Sequence, residues 1–176
     1  MPRELFDYGL VETNSQYDTY RGSSWELELE GIGISKETML MACKTASLPT
    51  LAVGKENAFH MNDRVQVAGV PEHPESLDVT LHDSIDPDVL DGLYTWFKKI
   101  YDFKEGKLGY TSAYKKKGSL FQYAHTGPGG SSGKKREWTI GGAWPSSIAP
   151  QELSYESGPT MMEITVSFSV DKFHPK

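Results

Sequence analysis

The chain is poor in cysteine, in long apolar runs and in any constellation of side chains that signals catalysis. Its 176 residues hold one cysteine, Cys43, which excludes an intrachain disulfide and fits synthesis in a reducing compartment. No apolar run approaches the roughly 20 residues of a membrane-crossing helix. The N-terminus, MPRELFDYGLVE, spreads its charges and lacks an apolar centre, so no secretory signal is expected. The five histidines, at 60, 73, 82, 125 and 174, share no metal-ligand spacing, and neither metal nor cofactor is expected. His82, Asp83 and Ser84 are adjacent, but strand neighbours face opposite ways and cannot relay a proton among themselves. GPGGSSGKK (127–135) imitates a phosphate loop and fails: Pro128 stands at the first glycine, Lys135 replaces the hydroxyl residue, and EWTI, a strand pattern, follows. Asp78, Asp83 and Glu163 would pair as carboxylates only if the fold joined them. An enzyme is therefore not expected.

What is present is charge, unevenly placed. The formal net charge is −6, yet residues 98–136 hold ten of the eighteen Lys and Arg and two acids, Asp102 and Glu105. That segment is +8 and the remainder −14. A chain so divided offers complementary surfaces to its own copies, whereas nucleic acid would be attracted to one part and repelled by the rest. The plain alternative is a solvated cluster.

Alternation is the second feature. WELELE (25–30) sets Trp25, Leu27 and Leu29 against Glu26, Glu28 and Glu30. TMLMACK (38–44) sets Met39, Met41 and Cys43 on one side, and RVQVAGV (64–70) Val65 and Val67 against Gln66. LDVTL (77–81), EWTI (137–140) and MEITVSFSV (162–170) repeat the period. These read as strands whose apolar faces pair in a β-sandwich or barrel-like core. Thr50–Asp63 suits an extended hairpin. One segment breaks the period: Val89, Leu90, Leu93, Trp96, Phe97, Ile100 and Tyr101 recur at helical spacing. Asp86 can cap this helix, Pro87 suits its first position, and Lys98, Lys99 and Lys104 lie toward its negative end, before Gly106. The expectation is one amphipathic helix over about 86–103, with Gly92 weakening it. The chain reads as a single domain, 1–176: an N-terminal extension (1–23), the helix, and a basic, Gly-rich loop region over 104–135.

Read in order, several stretches are similar to one family. REWTIGGAWPSSIAPQELSYESGPTMMEITVSFSVDKF (136–173) and CKTASLPTL (43–51) resemble the tail tube proteins of contractile-tailed bacteriophages. VQVAGVPEHPESLDVTLHD (65–83) is similar to the family's paired central strands, and YKKKGSLFQYA (114–124) to its basic turn. No single motif is diagnostic; the ordered combination, over about 24–173, is specific. The resemblance implies a mainly β, sandwich-like or barrel-like fold with one flanking α-helix, whose sheets join across subunits in a hexameric ring. Stacked rings form a rigid tube inside a contractile sheath. It implies partners as well: further copies of the chain, the tail sheath protein, baseplate and tail-terminating proteins, and a tape measure protein. DNA would pass through the lumen without specific binding. The protein would assemble in the host cytoplasm and reside in the virion tail. Related inner tubes occur in phage-like bacteriocins and type VI secretion systems. A small β-rich binding module is the reading from another class.

The resemblance gives the row of carboxylates a use. A channel that passes DNA should not hold it, since each phosphate contact with Lys or Arg adds binding. Glu26, Glu28, Glu30 and Glu163 are therefore lumen-lining candidates, against the plain reading of a solvated strand face. Lys115, Lys116, Lys117, Lys134, Lys135 and Arg136 are the candidates for contact between rings or with the sheath. In GGAWPS, Gly141 and Gly142 suit a tight bend, and Pro145 bars ladder pairing on its nitrogen side.

Overall fold

The computed structural model describes residues 22–48, 50–72, 76–123, 136–155 and 161–176. Eleven strands and three helices follow in the order β1 (Trp25–Leu29), α1 (Lys36–Ala42), β2 (Cys43–Ala46), β3 (Ala52–His60), β4 (Asp63–Glu72), β5 (Ser76–His82), α2 (Val89–Ile100), β6 (Tyr101–Asp102), β7 (Lys107–Leu108), α3 (Thr111–Tyr114), β8 (Lys116–Gln122), β9 (Arg136–Pro150), β10 (Glu163–Ser169) and β11 (Lys172–Pro175).

Alternation builds the core. Along β10, Ile164, Val166 and Phe168 are buried, and along β5 so are Leu77, Val79 and Leu81. These six face one another in antiparallel register. β9 is the long strand that joins two layers. Its first half pairs with β8 on one side and β11 on the other, while its second half pairs with β10. The first layer is thus β1-β8-β9-β11 and the second β9-β10-β5-β2. Leu27, Leu29, Leu120, Ile140 and Phe173 of the first layer share one buried cluster with the second.

The turn between layers falls at Gly142, with φ +70°. A Cβ there would lie 2.1 Å from Asp171 Oδ2, so this position needs glycine for its left-handed backbone and for space. Lys115 Nζ grips Asp171 at 2.6 and 2.8 Å, and the Asp171 N–H donates to the Gly141 carbonyl at 3.0 Å. Past the turn, Pro145 is buried, and the register slips between Ser167 and Phe168, where Ser146 Oγ donates to the Ser167 carbonyl.

Helix α2 carries Val89, Leu93, Trp96 and Ile100 on its buried face. Trp96 lies against Phe168, and its indole N–H donates to the Tyr114 carbonyl at 2.8 Å. Gly92 permits close packing: a Cβ there would meet Ile34 Cγ1 at 2.4 Å.

Several expectations change. Residues 38–42 are helical, with Ser35 capping α1 through Thr38 N–H, and the strand begins only at Cys43. Met39 still turns inward, but Met41, expected on its side, is exposed. Among the described residues three helices stand where one was expected, α2 being the expected one. The cap of α2 is Asp88, accepting from Asp91 N–H at 2.8 Å, so Asp86 and Pro87 precede the helix. The helix ends at Ile100, where Tyr101 enters β6, and Gly106 lies in the β6–β7 turn. Within 104–135, the described part contains β7, α3 and β8 rather than loop alone. GPGGSSGKK and the N-terminal extension through residue 21 lie outside the described residues.

Candidate functional site: two outer faces and two ends

Each layer turns one face to the core and one away. On the second layer the outer face is built from small hydroxyls. Thr45, Thr80 and Thr165 are neighbours across β2, β5 and β10. Asp78, Ser167 and Ser147 form the next row across β5, β10 and β9, and Ser167 Oγ donates to Asp78 Oδ1 at 2.6 Å. Lys44, the one cation among the described strand residues of this layer's four strands beyond Gly142, pairs with Glu163. That lysine holds the Glu163 carboxyl below its ordinary range.

The outer face of the first layer has a different chemistry. Glu26, Ser119, Thr139 and Glu137 come together through the β1–β8–β9 register. Tyr123 donates its hydroxyl to Glu26 at 2.7 Å, Lys36 pairs with Glu28 at 2.8 Å, and Lys176 pairs with Glu137 at 3.1 Å. Burial, then the bond to Glu26, pushes the Tyr123 phenol up to about 12. The contact with Glu28 raises the Lys36 ammonium above its usual value.

The four carboxylates therefore do not share a face. Glu26 and Glu28 point away from the core on the first layer, Glu163 does so on the second, and Glu30 follows β1 and is exposed. Alternation tells inside from outside within a strand; it carries no information about which layer a strand joins. Among the basic candidates, Lys115 is engaged with Asp171, Lys116 opens β8 beside Ala143, and Lys117 is exposed. Arg136 begins β9 and is exposed, while Lys134 and Lys135 lie outside the described residues. Asp83 and Ser84 are used locally: Asp83 Oδ1 accepts from Leu90 N–H, and Ser84 Oγ donates to the Pro87 carbonyl at 2.6 Å. Among the described residues no cluster of His, Cys, Asp and Glu could hold a metal ion.

At one end of the β2–β5 ladder the hairpin expected over Thr50–Asp63 is found as β3–β4, with RVQVAGV forming its second strand instead of a core strand; the hollow at the other end had no signal in the sequence. From the first end springs the β3–β4 hairpin, which among the described residues pairs with no other strand and runs from Ala52↔Glu72 to His60↔Asp63. It exposes Val53, Phe59, Met61, Val65, Val67 and Val70. The alternation of Val65 and Val67 was legible, but their face is not in the core. At the other end lies a cavity of about 400 Å³ lined by Glu37, Met41 and Ala42 of α1 and by His82, Asp86 and Pro87. His82 Nδ1 is buried and has no hydrogen-bond partner among the described residues. Glu37 is held below the ordinary carboxylate range by its own backbone N–H and by Ser35. Burial pushes the neighbouring Cys43 thiol up to about 12.

Comparison with known proteins places this geometry. A family model described as "Phage tail tube protein" matches residues 13–176. The solved sheath-tube complex of an extracellular contractile injection system (PVC), in its extended state, is similar with a TM-score of 0.64 and 8% identity, over 99% of this chain and 98% of that one. The sheath/tube terminator of the same kind of system is similar with a TM-score of 0.65 and 11% identity, over 90% and 96%. The tube-terminating cap of the anti-feeding prophage gives 0.65 and 12% identity, over 90% and 91%. A search by sequence found no significantly similar curated protein.

Proposed function

The chain belongs to the phage tail tube protein family, a family of structural proteins rather than enzymes, and on that premise we propose that its copies form hexameric rings that stack into the inner tube of a contractile phage tail, through which DNA is ejected. The observation that carries this reading is the second layer. Its outer face is hydroxyl-rich with its one lysine neutralised by Glu163, and its two edges, β2 and the second half of β9, are unpaired on their far sides among the described residues. Edge strands of this kind join their equals in neighbouring copies. Six copies joined edge to edge would close a barrel whose inner wall is this face, to which a polyanion gains no cationic contacts.

On this assignment Glu163, with Asp78, lines the lumen, whereas Glu26 and Glu28 lie on the opposite, outward layer. Lys98, Lys99 and Lys104, near the end of α2, then belong with Lys116 and Lys117 to surfaces for the sheath or a neighbouring ring. Baseplate, tail-terminating and tape measure proteins complete the partners, and the virion tail is the site of residence after assembly in the host cytoplasm. The likeness to tubes of injection systems supports a second reading, a bacteriocin-like or secretion tube that carries no genome. Capsid and terminase genes beside this one would favour the phage.

The test is negative-stain microscopy of the purified protein at high concentration. Hollow tubes or six-fold rings are expected. A protein that stays monomeric at every concentration and salt overturns the reading and leaves the small binding module.

A further inference from the structure

Three ionisable side chains meet on the outer face of the second layer. Glu163 opens β10 and His82 closes β5, and the two stand directly opposite each other in antiparallel register. Both belong to the outward set of their strands, since their neighbours Leu81 and Ile164 are buried. Directly opposite residues on one face hold their Cβ atoms about 4.5–5.5 Å apart. Lys44 sits where the β2–β5 register shifts, between Cys43 and Thr45, and reaches across β5 to pair with Glu163. The Glu163 N–H donates to Gln151 Oε1 at 3.2 Å, which ties the strand end down.

With a neutral imidazole the trio is balanced, one ammonium against one carboxylate. An imidazole ordinarily takes up its proton between about pH 8 and pH 5, and both ring nitrogens are then donors. One carboxylate would face two cations. Lys44, and to a smaller degree His82, hold the Glu163 carboxyl below its ordinary range, so it stays charged meanwhile. The other ionisable groups around His82 do not follow it. Asp83 accepts from Leu90 N–H, and Glu37 and Asp86 line the hollow with His82; carboxylates ordinarily titrate below this range. The Cys43 thiol, pushed by burial up to about 12, stays neutral throughout. Asp78 lies four residues back along β5, roughly 13 Å at about 3.3 Å per residue, which exceeds the screening length of about 10 Å at 0.1 M salt. It therefore does not cancel the new charge.

We infer that His82 is a proton-operated switch for the charge of this face: with the imidazole neutral the wall gains no hold on a phosphate backbone, and with it protonated the wall binds one. The inference rests on the tube reading above, which puts this face on the lumen. A ring of copies would repeat the added charge at one level of the channel, where each further phosphate contact adds to binding.

Nuclease protection tests it. Tubes are assembled with a short linear DNA duplex present, moved to about pH 8 or about pH 5.5 at about 0.1 M salt, checked by microscopy and treated with a nuclease active at both. Wild type should protect at least about threefold more DNA at the lower pH. His82→Gln should protect equal amounts at both, while His174→Gln, on β11 of the first layer, should keep the wild-type gain. Glu163→Gln leaves Lys44 uncompensated and should protect at pH 8 what wild type protects only in acid. Intact wild-type tubes without an acid gain, or a gain that survives His82→Gln, overturn the inference and leave the tube reading in place. Glu163→Gln tubes that protect no more than wild type at pH 8 overturn it as well. Thr80→Lys with Thr165→Lys is the control for the face: tubes carrying it that protect no DNA at either pH defeat the lumen assignment itself. A wild type that forms neither tubes nor rings defeats the tube reading.

Discussion

Replacing Gly142 by alanine should cost the subunit about 2–4 kcal/mol, by three additive routes. The residue has φ +70°, a conformation that costs an L side chain about 1–2 kcal/mol. The new Cβ would stand 2.1 Å from Asp171 Oδ2 and 2.7 Å from its Cγ, so Asp171 must move. Moving it breaks the grip of Lys115, a partly exposed pair worth about 0–1 kcal/mol. It also loosens the Asp171 N–H bond to the Gly141 carbonyl, worth about 1 kcal/mol. Gly141→Ala is the control one residue away: its φ is not positive, and the nearest atom to its Cβ is Lys172 Cβ at 3.5 Å. It should stay within about 1 kcal/mol of wild type. Urea unfolding measures both, at protein concentrations low enough that the midpoint no longer depends on concentration. The double change Gly142→Ala with Asp171→Ala should recover about 1 kcal/mol relative to the sum of the singles, because the two closest clashing atoms, Oδ2 and Cγ, are gone and only Cβ at 3.0 Å remains. Equal losses for the two glycines, or a loss under about 1 kcal/mol at Gly142, would refute the claim that the layer crossover depends on this residue.

Trp96→Ala should cost about 3–5 kcal/mol, since the ring is fully buried against Phe168; a loss below about 1 kcal/mol in the same assay would contradict that burial. Cys43 should react with a thiol reagent at pH 8 at least about 100-fold more slowly in the folded protein than in denaturant, because its pKa near 12 leaves little thiolate; comparable rates would show the thiol to be solvated. In assembled tubes, Thr80→Lys with Thr165→Lys should retain nuclease-protected DNA at about 50 mM salt and release it near 500 mM, as contacts with phosphate are screened. Glu26→Lys with Glu28→Lys should protect no more than wild type, and the opposite ranking would put the lumen on the first layer.

Much of the fold was readable because the period-two signal is local. β1, β5, β10 and the start of β9 carry their buried and exposed residues as the pattern demands. The buried stripe of α2 was readable for the same reason at period 3.6. Errors arose where two local signals overlapped. In residues 38–42 Met39 and Met41 fit a strand, but Ser35 caps a helix just upstream, and seven residues are too few for either period to decide. The Asp86–Pro87 pair suggested a cap at Asp86, but Asp88, two residues on, is the cap and accepts from Asp91 N–H. Gly92 looked like a weakness of the helix; its purpose appears only with Ile34 in place.

The candidate site was legible one face at a time and no further. That Glu26, Glu28 and Glu163 avoid the core follows from alternation, but their division between opposite layers depends on pairings such as Glu163 with His82, 81 positions apart, and Glu26 with Phe121. The hairpin exposes a deeper assumption. Alternation in RVQVAGV implies a covered apolar face, yet Val65, Val67 and Val70 are exposed among the described residues. The central cluster closes without the β3–β4 hairpin, whose apolar side chains are exposed among the described residues, so alternation by itself does not tell a core face from an exposed one.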